Sequence, residues 1–324
     1  MRPVEPVCEH GQFLDCVAVN LSVMLRHLGV EDSSSPFACQ WRFTFPPPAG
    51  ELPVLEHQPL LSVMTRQSGY RLVDVDIPED RVGAGLAEGV SGAGPVLLLG
   101  DAFSMPWVPY HGHVHMVHSF IVDGVSADAR WAEVADGYTN RTEWGDAAPC
   151  RTRVAVAELI DICTPADDRG LRAGIFERVA PPQPVDARAW LLCNAAAMSG
   201  SDTATSFTSF ADPARLEGGD QSARFEQFVL ACWLVARART VHARWLASLA
   251  PDDAALLPPE FAAAFEASVV SAWSKAMEFS YIASRRIRQG RAVPPAPFDI
   301  VANQAAPAEL DLARQLLQWL SDER

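Results

Sequence analysis

Lysine is nearly missing from this sequence: Lys275 is the only one in 324 residues, so almost every positive charge is an arginine. A GC-rich genome accounts for that bias, and no chemistry follows from it. Positive charge is scarce overall, with 26 basic residues against 40 acidic ones and a formal net charge of −14. That balance, with no basic run interleaved with aromatics, excludes a general nucleic-acid binder. No stretch approaches eighteen uninterrupted apolar residues, which excludes a membrane-spanning helix. The seven cysteines are odd in number and form no CxxC pair. With no secretory apolar segment opening the chain, a reduced cytoplasmic setting is the expectation. The glycine pattern GAGLAEG at Gly83–Gly89 has neither a buried strand before it nor a lysine after it. A phosphate-binding loop is therefore excluded.

What is present describes a folded chain long enough for one large domain or two ordinary ones. Composition changes at Ala180-Pro181-Pro182-Gln183-Pro184, which reads as a linker. Before it, strand and helix signals mix. Arg71 to Ile77 alternates apolar and polar residues, and the apolar run Pro95 to Gly100 (PVLLLG) predicts a central strand. HSFIVDGV and RWAEVADGY predict an antiparallel pair, Val154 to Ile162 a helix, and Ala173 to Val179 a closing strand. Val54 to Gln67 reads as a helix. Glu31 to Pro53 reads as a long ordered loop whose aromatics Phe37, Trp41, Phe43 and Phe45 either line a groove or anchor the loop to a core. Beyond the linker, helices are predicted over Val185–Met198, Ser222–Leu249, Pro259–Gln289 and Ala308–Leu320, with Ser199–Gly219 a polar, mobile loop. The fold class is thus α+β, with an antiparallel-sheet domain over 1–180 and a helical bundle over 185–324.

Chemistry concentrates at Gly11 to Gly29, GQFLDCVAVNLSVMLRHLG. Val17, Leu21, Met24, Leu25 and Leu28 follow helical spacing, Asp15 suits an N-cap, and Gly29 suits the stop. Cys16 then falls in the first turn, where free N–H groups and the helix dipole favour a thiolate nucleophile. A buried structural thiol is the alternative. Four of the eight histidines, His111, His113, His115 and His118, supply candidate bases. His118 opens the apolar run SFIV and sits at a strand entry. Asp136, closing RWAEVAD on the neighbouring strand, suits the carboxylate that orients it. Thiol on a helix, imidazole and carboxylate on adjacent strands is a papain-like order.

The segments DCVAVNLSVMLRHLG, HSFIVDG and WAEVADGY resemble the papain-like cysteine peptidases that trim bacteriocin leaders. With Asp101 to Trp107 (DAFSMPW) and the histidine-rich turn, the sequence is more similar to the butirosin-type acyltransferases. These pair a related N-terminal domain with a helical C-terminal one. Val17 stands where such peptidases carry Gly, which favours acyl transfer over proteolysis. The resemblance implies a Cys16, His118, Asp136 triad that takes an acyl or aminoacyl group from the phosphopantetheine thioester of an acyl or peptidyl carrier protein. It passes that group to an amine-bearing small molecule, without an intrinsic cofactor or metal. It further implies an oxyanion site from the Cys16 N–H and the Gln12 side chain, and substrate contacts from Asp101, Trp107 and Tyr110. Asp101 equally suits the capping of the following turn. Arg285, Arg286, Arg288 and Arg291 suit an acidic carrier helix, or a solvated helix end. The partners implied are the carrier and the acceptor, with neither nucleic acid nor membrane; a homodimer is compatible. Rival readings are a peptidase, amidase or thioester hydrolase with the same triad, a metal site on His111, His113 and His115, and a silent binding domain.

Overall fold

The computed structural model describes residues 2–46, 52–163, 170–183, 185–216, 220–249 and 256–322. The chain separates into two compact units, one of Met1–Pro36 and Leu60–Pro184, the other of Phe37–Pro59 and Val185–Arg324. The division falls at the proline-rich linker, between Pro184 and Val185, and Phe37–Pro59 groups with the second unit. Phe37–Pro59 leaves the first unit because its aromatics bury themselves in the helical one. Trp41 and Phe43 are fully inaccessible, and Phe43 stacks on Phe207 at 4.3 Å. These side chains anchor the segment to a core and do not line a groove.

The first unit contains α1 (Cys16–His27), the start of the short α2 (Ser35–Ala38), α3 (Leu60–Ser68), β1 (Tyr70–Pro78), α4 (Val82–Ala93), β2 (Val96–Asp101), β3 (Val117–Val125), β4 (Trp131–Asp136), β5 (Asn140–Thr142), β6 (Gly145–Ala147), β7 (Cys150–Ala155), α5 (Val156–Ile162) and β8 (Gly170–Arg178). Six strands form one antiparallel sheet in the order β1-β8-β2-β3-β4-β7, and β5 and β6 form a separate hairpin. The predicted β3–β4 pair is present, with Ile121 opposite Ala135 and a register shift between Val122 and Gly124. β8 inserts between β1 and β2 rather than closing an edge. Two predicted boundaries move. Helix α3 begins only at Leu60, because Val54 pairs with Thr44 and Pro59 precedes the helix. Val154 and Ala155 belong to strand β7, opposite Ala132 and Trp131.

The second unit is helical: α6 (Ala187–Met198), α7 (Ser201–Phe210), α8 (Gln221–Leu249), α9 (Phe261–Phe265), α10 (Ser271–Arg288), α11 (Ala296–Ile300) and α12 (Ala306–Asp322). A π turn at Glu266–Val270 joins α9 to α10, and another at Val301–Ala305 joins α11 to α12. The predicted mobile loop Ser199–Gly219 is mostly helix α7 and a short turn at Pro213–Leu216, with residues 217–219 outside the described set. Its hydroxyls misled the sequence reading. Thr205, Ser206 and Thr208 bond to carbonyls four residues back, while Phe207 and Phe210 fill the core. At the centre Glu309 accepts from Arg239 Nε, Trp41 Nε1 and Trp273 Nε1, all four side chains buried. Phe225, Cys232, Ala236, Trp245 and Trp273 are buried in the bundle core, whereas Val229 and Trp233 are half-buried. No described helix is long and apolar enough to cross a membrane.

Candidate active site

Helix α1 starts where the sequence predicts. Asp15 caps it, its Oδ1 accepting from Ala18 N at 2.8 Å. Cys16 is therefore the first helical residue and is partly exposed, unlike the buried Cys8, Cys39, Cys163 and Cys232. The N–H groups of Cys16 and Val17 have no intrahelical acceptor, since none precedes them in the helix. Helix α1 packs on β3, and Ser119 Oγ donates to the Cys16 carbonyl at 2.7 Å, fixing the helix mouth against the strand that carries His118.

His118 lies opposite Gly100 on β2 and is completely buried. A Cβ on Gly100 would approach Ile162 O to 2.6 Å and Met105 to 2.9 Å, so glycine is what lets β2 run past this position. The His118 ring bonds through Nε2 to Asp136 Oδ2 at 2.7 Å. Tyr138 packs edge-on against it at 5.1 Å. Its other nitrogen, Nδ1, is buried with no hydrogen-bond partner, and the Cys16 side chain lies near enough to the ring to act on its titration. Burial resists protonation of this imidazole. The hydrogen bonds and charges of Asp136 and Cys16 outweigh that resistance and raise its pKa to about 9. The three predicted side chains thus come together, the ring bonded to the carboxylate and close enough to Cys16 for the two to influence each other.

Asp136 is held on every side. Trp107 Nε1 donates to the same Oδ2 at 3.2 Å, and Oδ1 accepts from Tyr138 N at 3.0 Å and Asn20 Nδ2 at 3.3 Å. Asn20 also donates to Ser119 O at 2.8 Å and accepts from Gly137 N at 2.9 Å. Next to Asp136, a Cβ on Gly137 would meet Val23 at 3.0 Å and Pro6 O at 3.2 Å, so the turn after β4 packs tightly on the back of α1. Comparison of the chain with protein-family models and with curated proteins finds no match. The site is therefore read from its own geometry.

Asn20 and Ser119 escaped the sequence reading. The signal was there in Asn20: a fully buried amide one turn after Cys16, within the apolar face of α1. Trp107, expected at the substrate, holds Asp136 through its indole and meets Phe120 edge-on at 5.3 Å. Tyr110 is buried, its hydroxyl accepting from Asn140 Nδ2 at 2.8 Å and lying 3.3 Å from the Tyr138 hydroxyl. Asp101 is engaged locally, accepting from Phe103 N and Met116 N and pairing with His115 Nδ1 at 2.6 Å, which is its capping role. Gln12 is exposed on a short 3-10 turn, Gly11–Phe13, four residues before the thiol. His113 stacks on Trp144 at 5.5 Å and His115 on Phe103 at 4.1 Å. No group of three metal-ligating side chains converges among the described residues, so the alternating histidines do not assemble a metal centre there. Burial, with Asp136 beside it, raises the Cys150 thiol to about 11, which keeps it a thiol.

Proposed function

We propose that this chain is a cysteine-dependent acyltransferase of papain-like type that forms an amide from a carrier-protein thioester. The observation that carries the reading is the His118 ring, with one nitrogen on Asp136, the other buried and unpartnered, and Cys16 beside it at a capped helix mouth. A thiolate at Cys16 attacks the thioester carbonyl. The bond to the phosphopantetheine sulfur breaks, and that sulfur leaves with the proton held by His118. An amine then attacks the Cys16 thioester, gives its proton to His118, and releases the Cys16 thiolate and the amide. Asp136, held by Trp107, Asn20 and Tyr138 N, keeps the imidazole oriented through both steps. The free N–H groups of Cys16 and Val17, with Gln12 nearby in sequence, suit the developing oxyanion.

The test is intact-protein mass spectrometry after mixing with acyl-carrier thioesters or a small thioester mimic. One acyl adduct on Cys16, absent in Cys16→Ala, is expected. Release as an amide on adding an amine supports transfer, whereas release only as free acid turns the assignment to a thioester hydrolase. An adduct that persists in Cys16→Ala, or maps to Cys8 or Cys39, rejects it.

A further inference from the structure

Helix α10 of the second unit leaves large apolar side chains open to water. Helices α8 and α10 pack antiparallel, with Glu226 bonded to Ser284 Oγ and ion-paired to Arg288 at 3.7 Å at one end. At the other end Arg244 pairs with Glu266. On α10, Phe279 (43% exposed), Tyr281 (38%) and Ile282 (48%) are open to water, as is Leu230 (40%) on α8. Of these, Phe279 and Ile282, three residues apart, stand together on one side of α10. Clusters of that kind mark interaction surfaces more often than lone exposed residues do.

The charges around the patch follow a pattern of their own. Lys275, Glu278, Phe279, Ile282, Arg285 and Arg286 recur at three- and four-residue steps, so they share one stripe of α10. Glu278, Arg285 and Arg286 are exposed and make no ion pair among the described residues. Seven residues separate Glu278 from Arg285, about two turns, too far to meet along one helix. The two lie on the same flank of the stripe, at nearly equal distances either side of Ile282; Phe279 and Arg286 do likewise on the other flank.

We infer that this face is a self-complementary interface for a second copy of the chain, with α10 packed antiparallel against the partner's α10 about a two-fold axis at Ile282. That arrangement sets Glu278 opposite the partner's Arg285 and Phe279 under the partner's Arg286, each pair occurring twice by symmetry. Ile282 meets its own copy at the centre, where water is excluded. An acidic carrier helix fits less well, because the carboxylate of Glu278 stands within the stripe it would have to cover.

Sedimentation of the full chain over a dilution series tests this. A reversible dimer with a dissociation constant on the order of ten micromolar is expected. Glu278→Arg and Arg285→Glu should each weaken it by about tenfold, since each places two like-charge pairs in contact. The double variant Glu278→Arg/Arg285→Glu should recover the wild-type constant, because every pair is opposite again. Both changes are at exposed positions, and unchanged far-UV circular dichroism establishes that the three variants fold. Three results overturn the inference. One is a wild-type chain that stays monomeric throughout, whether or not it binds an acidic carrier or anionic vesicles through this face. Another is a dimer indifferent to the single reversals, and the last is a double variant as weak as the singles.

Discussion

At the scale of single residues, the candidate site depends on side chains that never touch a substrate. Asn20 binds three groups at once: the β3 backbone at Ser119, the Asp136 carboxylate and the Gly137 N–H. Asn20→Ala leaves the buried Gly137 N–H and one Asp136 oxygen short of partners, a loss of about 1–3 kcal/mol in urea unfolding. The same variant should slow alkylation of Cys16 by iodoacetamide, because Asp136 and the ring it orients lose a brace. Unchanged alkylation with lowered stability would confine Asn20 to folding. Asp136→Asn removes the charge that keeps His118 protonated, so the imidazole should titrate well below its present pKa of about 9, as followed by NMR. A ring that still titrates near 9 in that variant contradicts the arrangement.

Among the elements, α7 is the instructive one. The sequence Ser201–Phe210 is rich in Ser and Thr, whose propensities favour caps and turns, and it reads as a loop. It is a helix because Phe207 and Phe210 have partners that are distant in sequence. Phe43 stacks on Phe207 at 4.3 Å and meets Phe210 edge-on at 5.4 Å, and Trp273 lies near both. Tertiary packing overrides weak propensity here. Phe207→Ala is expected to destabilise the second unit by about 3–5 kcal/mol, because it opens a cavity in a rigid aromatic cluster. Denaturant unfolding followed by tryptophan fluorescence measures this, and a loss under about 1 kcal/mol would show that the cluster relaxes around the hole. By contrast, α1, β2, β3 and β4 are where their periodicity places them, since each is long, apolar and ended by its own turn chemistry.

At the scale of the whole molecule, two buried histidines should give stability opposite pH limbs. His118 has a folded pKa of about 9 against 6.5 unfolded. The folded chain therefore binds the extra proton between these values, and that contribution is complete below pH 6.5 and fades as pH rises through 9. His242 is pushed down to about 3 by its burial and by the nearby Arg239 and His57, although its Nδ1 bonds Ala38 O. There the unfolded chain binds the extra proton, so stability is complete above 6.5 and falls as pH drops toward 3. Calorimetry across pH 4 to 10, comparing the wild type with His118→Gln and His242→Gln, separates the limbs. The basic limb should flatten in the first variant and the acidic limb in the second. A pH dependence identical in all three proteins contradicts both assignments.

The sequence by itself determined the capped helix that presents Cys16, the strand that opens near His118, the strand that ends at Asp136, and the helical character beyond the linker. These are local: periods of 3.6 and 2, a capping Asp and a stopping Gly act within a few residues of one another. Only the tertiary structure decided that Phe37–Pro59 belongs with the helical unit and that β8 lies inside the sheet. It likewise decided that Asn20, Ser119 and Trp107 brace the candidate triad. Each of those outcomes rests on side chains tens to hundreds of residues apart burying one another, as Trp41 and Glu309 do, and no short-range pattern records which distant surface a buried group will meet.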